Sequence, residues 1–387
     1  MLRAKELNAK RQAVSDAVFG VTVFSDISET EFRSTVLMGK SGDNYPTPQD
    51  KNDNVVDFEM KVASEDVPDE WDWRKHLAVT SVKNQGNVGS CWAFSAAANI
   101  EGQYALSKGG ELVDLSVEQI VDCDGSMFMN GTGDCGPNGG YPMYAYDYVL
   151  GAGGLEPWPL YPYCIGDFSC EPCPPPGYNK TICGSQPAGC QHKDDCSNKF
   201  DPTKILASID SWAWLAPDKN ETLLKEQLYQ NGPVSIAIDA LPLQFYLFGI
   251  VPSYFCSSNP NSADHAVLLT GYGTEKDLFL QETEYWEVKN SWGEICKCFF
   301  QSLPITHSFV LSLLYLTSLF TFSSCRLHIN SQGVSWGISR WLVTQTHAAL
   351  LTLPRHQSST NAPTIRLYLI IFSLHVIKPL HLQHFPL

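Results

Sequence analysis

Basic residues are scarce: 26 Lys and Arg stand against 41 Asp and Glu in 387 residues, a net charge of −15. Nucleic acid and anionic membrane surfaces both require clustered cationic side chains, so neither is expected as a partner. The opening Met-Leu-Arg-Ala-Lys-Glu has no apolar run of signal-peptide type, and an incomplete N-terminus is the expectation. Acidic residues are missing altogether after Glu294: all 41 precede Ile295, whereas Lys297, Arg326, Arg340, Arg355, Arg366 and Lys378 follow it. An average soluble segment of that length holds about ten acids. Seven of the ten histidines also fall there, so residues 295–387 were not composed like the rest. The apolar run Ser308 to Phe322 is short and broken by Ser and Thr, whereas a membrane span needs about 20 apolar residues. No membrane segment is expected.

Cysteine, by contrast, is plentiful. There are 13, and ten of them lie from Cys91 to Cys256, a density that suggests an oxidising compartment. Sequons at Asn130, Asn179 and Asn220 point the same way and predict a glycoprotein. Six cysteines between Cys164 and Cys196, with Pro174-Pro-Pro176 among them, read as a disulfide-stapled surface insertion. Zinc is the rival reading, through the CxxC spacing of Cys170 and Cys173, but no metal is expected.

Three regions follow along the chain. Residues 1–64 form a leader: a polar, helix-compatible stretch Glu6 to Ala17, then Phe19 to Phe32, then a Pro- and Asp-rich linker from Asp43 that is expected to be exposed and cleavable. Residues 65–294 have a globular composition. Helical spacing predicts helices over Cys91–Ser107, Leu115–Cys123 and Tyr144–Leu150, and β-rich runs predict strands at Val234–Ile238, Ala266–Thr270 and Tyr285–Val288. A helical half, a cysteine-rich insertion over 164–200 and a β half from about residue 203 imply an α+β protein of two lobes with a cleft between them.

Thiol chemistry needs a thiolate at moderate pH, a base, a group that orients the base, and oxyanion donors. Gln85-Gly-Asn-Val-Gly-Ser-Cys91-Trp-Ala-Phe places Cys91 at the first turn of a predicted helix, where the dipole lowers a thiol pKa. Gln85 offers an amide donor. Asp264-His265-Ala-Val267 sets a histidine at the head of an apolar run, and Lys289-Asn290-Ser-Trp292-Gly293 supplies an Asn able to hold the imidazole. Taken singly, Cys91 reads as a small buried apolar residue and His265 as structural; the four together read as a catalytic set.

With Val67-Pro-Asp-Glu-Trp-Asp-Trp-Arg74, Leu115-Ser-Val-Glu-Gln-Ile-Val-Asp-Cys123 and Asn138-Gly-Gly-Tyr-Pro142 added, six blocks in order resemble the papain family, which includes the cathepsins. The resemblance implies a papain-like two-lobed fold, with a helical left lobe and a barrel-like right lobe. It implies Cys91 as nucleophile, His265 as acid and base, Asn290 as orienting residue and Gln85 as oxyanion donor. Trp292 would shield the His-Asn pair. Gly139 and Gly140 would bond an extended peptide, and Tyr141, Pro142, Ala237 and Ala266 would line an apolar pocket. Phe19 to Phe32 resembles the end of an inhibitory propeptide, so a zymogen is expected. His265 lies 174 residues beyond Cys91 rather than the family's roughly 130 to 150, an excess the insertion accounts for.

Two departures stand out. The family's cysteine three residues before the nucleophile is Val88 here, and its usual partner would be Cys135, which must pair elsewhere or stay free. The family pattern also stops after Glu294, which leaves the right lobe incomplete and identifies residues 295–387 as a non-family tail, unstructured or translated out of frame or through a retained intron. The expected function is a cysteine-type endopeptidase made as a zymogen, without cofactor, lysosomal or secreted, acting on proteins and peptides and open to cystatin-like inhibitors. The insertion has only His192, not the adjacent pair of cathepsin B-like exopeptidases. The alternative is an inactive homologue or a truncated product with a binding role or none.

Overall fold

The computed structural model describes residues 2–13, 16–38, 66–127, 133–186, 189–191, 195–215, 220–255, 262–276 and 282–294, with backbone strands at 327–330, 340–343 and 346–348. All lie within one compact unit, Met1–Ala349. The linker after Asp43, the sequon at Asn130 and His192 fall outside the described residues.

The leader begins with α1 (Leu2–Ala9), which ends well short of the Ala17 predicted. The reason is Asp16, whose carboxylate accepts the N–H groups of Gln12 (2.6 Å) and Ala13 (2.9 Å) and so turns the chain. β1 (Val18–Phe19) and α2 (Glu29–Thr35) follow. Ser28 caps α2 by accepting the Glu31 N–H, and Glu29 and Glu31 complement the helix dipole in its first turn. β2 (Trp71–Asp72) opens the region with the family-like blocks.

The centre of the helical lobe is α3 (Cys91–Ser107), apolar or small on nearly every face and buried from Cys91 through Ala105. α4 (Val117–Cys123) is capped by Ser116, whose hydroxyl accepts from Gln119 N–H (2.9 Å) and donates to the Tyr161 carbonyl (2.7 Å). α5 (Pro142–Ala152) starts on a proline with preset φ and stops at Gly153 in the left-handed region. The insertion holds two single-turn helices, α6 (Lys180–Cys183) and α7 (Cys196–Lys199). Four disulfides lace it: Cys164–Cys170 and Cys173–Cys190 within it, and Cys123–Cys196 and Cys135–Cys183 tying it to the helical lobe. The two sulfurs of the CxxC pair therefore belong to different disulfides, and Cys135, left without a partner at Val88, is bonded to Cys183.

β3 (Ala207–Ile209) and β4 (Trp212–Trp214) begin the second lobe, followed by α8 (Glu221–Asn231), β5 (Val234–Ile238), β6 (Tyr246–Phe248), β7 (Ile250–Val251), β8 (His265–Lys276) and β9 (Glu282–Lys289). Beyond Glu294, β10 (Leu327–Asn330), β11 (Arg340–Val343) and β12 (Thr346–Ala348) are described. The main sheet runs β4-β11-β5-β8-β9-β10-β7, with β2 paired to β8. It is open among the described residues, not the barrel-like lobe expected. The tail, expected to stand outside the fold, supplies β10 against β9 and β7, β11 between β4 and β5, and β12 against β3.

Two apolar cores result. One surrounds α3 and reaches Ala237 and Ala266; the other lies on the sheet and contains Ile236, Val267, Leu269 and Trp286. The leader enters both: Phe19, Phe24, Phe32, Val36 and Leu37 join the sheet core, and Met38 joins the core around α3. Between the lobes, the Ser95 hydroxyl donates to the Val267 carbonyl (2.8 Å), and the Asn99 amide donates to the Pro233 carbonyl (2.7 Å). These bonds set the start of α3 beside the start of β8, which is where the candidate site lies.

Candidate active site

Cys91 is the first residue of α3, fully buried and unbonded to another cysteine. Its sulfur accepts the Ala266 N–H at 3.5 Å. That places it against the first residues of β8, next to His265. The imidazole is likewise buried, and its Nε2 lies 2.8 Å from Asn290 Oδ1. Asn290 Oδ1 also accepts the Ser291 N–H at 2.7 Å, which orients the amide and makes Nε2 the protonated ring nitrogen. Nδ1 is then the basic nitrogen, and it has no hydrogen-bond partner among the described residues. Trp292 stacks on the ring, 4.7 Å between centroids and 29° from parallel.

Gln85 approaches from the loop before α3. Its Nε2 donates to the carbonyls of Val36 (2.8 Å) and Val88 (2.7 Å), while its Oε1 accepts from Ser291 Oγ (2.6 Å) and its N–H donates to the Ser291 carbonyl (2.8 Å). Ser291 thus fixes both main chain and side chain of Gln85. Sequence reading does not single it out, because Asn290 and Trp292 on either side carry the recognisable chemistry.

Of the expected substrate-binding residues, Gly139 adopts φ 120°, a region that favours glycine. At Gly140 a Cβ would stand 2.5 Å from Asp134 Oδ1 and 2.6 Å from the Trp92 ring, so only glycine fits. Asp134 Oδ1 accepts the Tyr141 N–H at 2.6 Å, and Pro142 opens α5. Ala237 and Ala266 are direct cross-strand partners on β5 and β8. Tyr141, Ala237, Ala266 and Met38 belong to one buried cluster. The leader passes directly over Gln85, Asp264 and Trp292. Val36 accepts from Gln85, Met38 N–H donates to the Asp264 carbonyl (2.7 Å), and Arg33 is ion-paired with the Asp264 carboxylate. Phe24 and Phe32 pack edge-on against Trp292 at 5.1 and 5.6 Å. The leader's reach beyond Phe32 escapes sequence reading because the surface that receives Val36 and Met38 is assembled from segments distant in the chain.

Burial controls the protonation of the central pair. It pushes the Cys91 thiol up to about 12, against the pull of the Ala266 N–H, and it pulls His265 down to about 4, against the Asn290 bond. Both groups are neutral beneath the leader.

A sequence model of the papain family cysteine protease domain matches residues 67–297. The probable cysteine protease RD19B of Arabidopsis thaliana is 36% identical over 300 residues, 76% of this chain and 72% of that protein. Cathepsin F of Mus musculus is 34% identical over 297 residues, 76% of this chain and 52% of that protein. Among solved structures, digestive procathepsin L 3 from the larval midgut of Tenebrio molitor superposes with a TM-score of 0.58 at 25% identity, covering 90% of this chain and 88% of that one. With the two-lobed α+β fold and the thiol–imidazole cleft already in place, these matches assign the chain to the papain family of cysteine proteases, thiol hydrolases that act on protein substrates.

Proposed function

We propose that the chain is a papain-type endopeptidase made as a zymogen, with Cys91 as nucleophile, His265 as acid and base, Asn290 as orienting residue and Gln85 as oxyanion donor. The observation that carries this reading is the Gln85 Nε2 bond to the Val36 carbonyl at 2.8 Å, since a leader carbonyl there stands in for the carbonyl oxygen of a substrate.

In the free cleft, His265 Nδ1 takes the Cys91 proton, and the thiolate attacks the scissile carbonyl carbon. The oxyanion that forms is met by the Gln85 amide and the Cys91 N–H at the helix N-terminus. Collapse of the tetrahedral species breaks the C–N bond, and His265 passes its proton to the departing amine. Water, deprotonated by the same imidazole, then hydrolyses the acyl-thioester and restores the thiol. Asn290 keeps Nδ1 aimed at the sulfur throughout, and Trp292 covers the Nε2–Asn290 bond. Gly139 and Gly140 supply main-chain bonds to an extended peptide, and Tyr141, Pro142, Ala237 and Ala266 receive an apolar side chain.

Four disulfides and sequons at the helix caps Asn179 and Asn220 fit a glycosylated protein of the secretory or lysosomal route. Cystatin-like inhibitors would enter the same cleft. Labelling with an epoxysuccinyl thiol probe tests the central claim. The acid-treated chain should be labelled and should cleave an internal peptide bond, whereas Cys91→Ala should do neither. Equal labelling of the Ala variant would defeat it.

A further inference from the structure

Tyr163 lies outside the constellation described so far, yet its hydroxyl touches both ends of the loop that leads into Cys91. It donates to the Gln85 carbonyl at 2.8 Å and lies 2.7 Å from Ser90 Oγ. A phenol has one proton, so with that proton on the Gln85 carbonyl the Ser90 hydroxyl is the donor in the second bond. Ser90 is the N-cap of α3 and fully buried, but its side chain makes no cap bond to the helix. A serine there ordinarily accepts an N–H from the first turn. Here the hydroxyl is turned to Tyr163 instead.

The ring itself is held. Phe94 packs on it edge-on at 4.8 Å and Trp158 lies at 6.0 Å, so the hydroxyl has a defined position. The loop has no covalent brace among the described residues: the side chain three before Cys91 is Val88, and Cys135 is bonded to Cys183.

We propose that Tyr163 is a positioning residue for the reaction: by linking the Gln85 main chain to Ser90, it sets the spacing between the Gln85 amide and the Cys91 N–H that receive the oxyanion. The inference rests on the reading of Cys91 as nucleophile and Gln85 as oxyanion donor. Donor spacing matters once the tetrahedral oxyanion forms, so its loss lowers kcat and spares ground-state binding. Alkylation by iodoacetamide forms no oxyanion and should not respond.

The test compares the full chain, Tyr163→Phe, Ser90→Ala and the double variant after acid treatment, with kcat expressed per site titrated by an epoxysuccinyl probe. Each single variant should lose about 10- to 100-fold in kcat, with KM and the iodoacetamide rate within about twofold of the parent. The double variant should be no worse than the poorer single, because both remove one bridge. Ser90→Ala leaves the aromatic packing of Tyr163 in place and carries the same expectation should the Phe variant fail to fold. Retention of kcat within twofold, a parallel fall in iodoacetamide rate, or additive losses in the double variant would overturn the proposal. Probe labelling that survives Cys91→Ala defeats the underlying assignment of the nucleophile instead, and it is read before the Tyr163 comparison.

Discussion

Burial sets the chemistry of Cys91 and His265 as a pair. A thiol pushed up to about 12 and an imidazole pulled down to about 4 have no drive to exchange a proton while both are buried. On the proposed zymogen reading, removing the leader should restore water to the cleft and make the thiolate–imidazolium pair accessible. Iodoacetamide at pH 6 should therefore alkylate the intact chain at least about a hundredfold more slowly than the leader-free enzyme, as followed by mass spectrometry. Equal rates would mean that the leader does not control the thiol. Asn290→Ala frees the imidazole and should cost about a hundredfold in kcat through misorientation, with a smaller change in KM. The residue types needed for this chemistry are legible in the sequence because each sits in a distinctive local block. Ser291, Asp134 and Tyr163 were not legible, since a serine, an aspartate and a tyrosine acquire a positioning role only from neighbours distant in the chain.

At the level of elements, the leader and the insertion are held by different forces. The leader docks by burying apolar side chains, with Phe32 fully enclosed between Phe24 and Trp292. Phe32→Ala should remove about 3 to 5 kcal/mol of that docking. Peptidase activity should then appear at a higher pH than in the parent, as measured with a fluorogenic peptide across a pH series. The insertion buries little and relies on covalent ties. Cys183→Ala opens its bond to Cys135 and should cost about 2 to 5 kcal/mol, read as a lower thermal midpoint. The helices α3, α4 and α5 follow from spacing and capping that the sequence displays. β3, β4 and the true end of α1 do not, because short strands with buried aromatics and a turn imposed by Asp16 depend on what packs against them.

On the scale of the whole molecule, buried carboxyl groups of the helical lobe couple stability to pH. Burial pushes Asp124 up to about 6 and Glu118 up to about 8, and burial together with the Asp124 charge raises Asp134 well above the ordinary carboxylate range. A carboxyl group with a raised pKa binds more protons folded than unfolded, so its contribution is full at low pH and is lost as pH climbs through the folded value. The window runs from about pH 4 to pH 8. His265, pulled down to about 4, acts in the opposite sense between about pH 4 and 6.5, as a single group. The thermal midpoint should be lower at pH 8 than at pH 5.5. Asp134→Asn should shrink that difference, because the amide oxygen still accepts the Tyr141 N–H without ionising. A drop in the variant as large as in the parent would count against this origin.

Family and two-lobed plan were determined by the sequence itself, and the proposed catalytic residues Cys91, His265, Asn290 and Gln85 are legible there because such chemistry demands those side chains in recognisable surroundings. The partner of Cys135, the open sheet with its tail strands and the path of Val36 and Met38 through the cleft were decided only by the tertiary structure. Disulfide choice depends on which sulfurs meet, strand pairing runs through backbone groups that every residue carries, and leader docking sets apolar side chains against a surface assembled from distant segments, so no local pattern announces them.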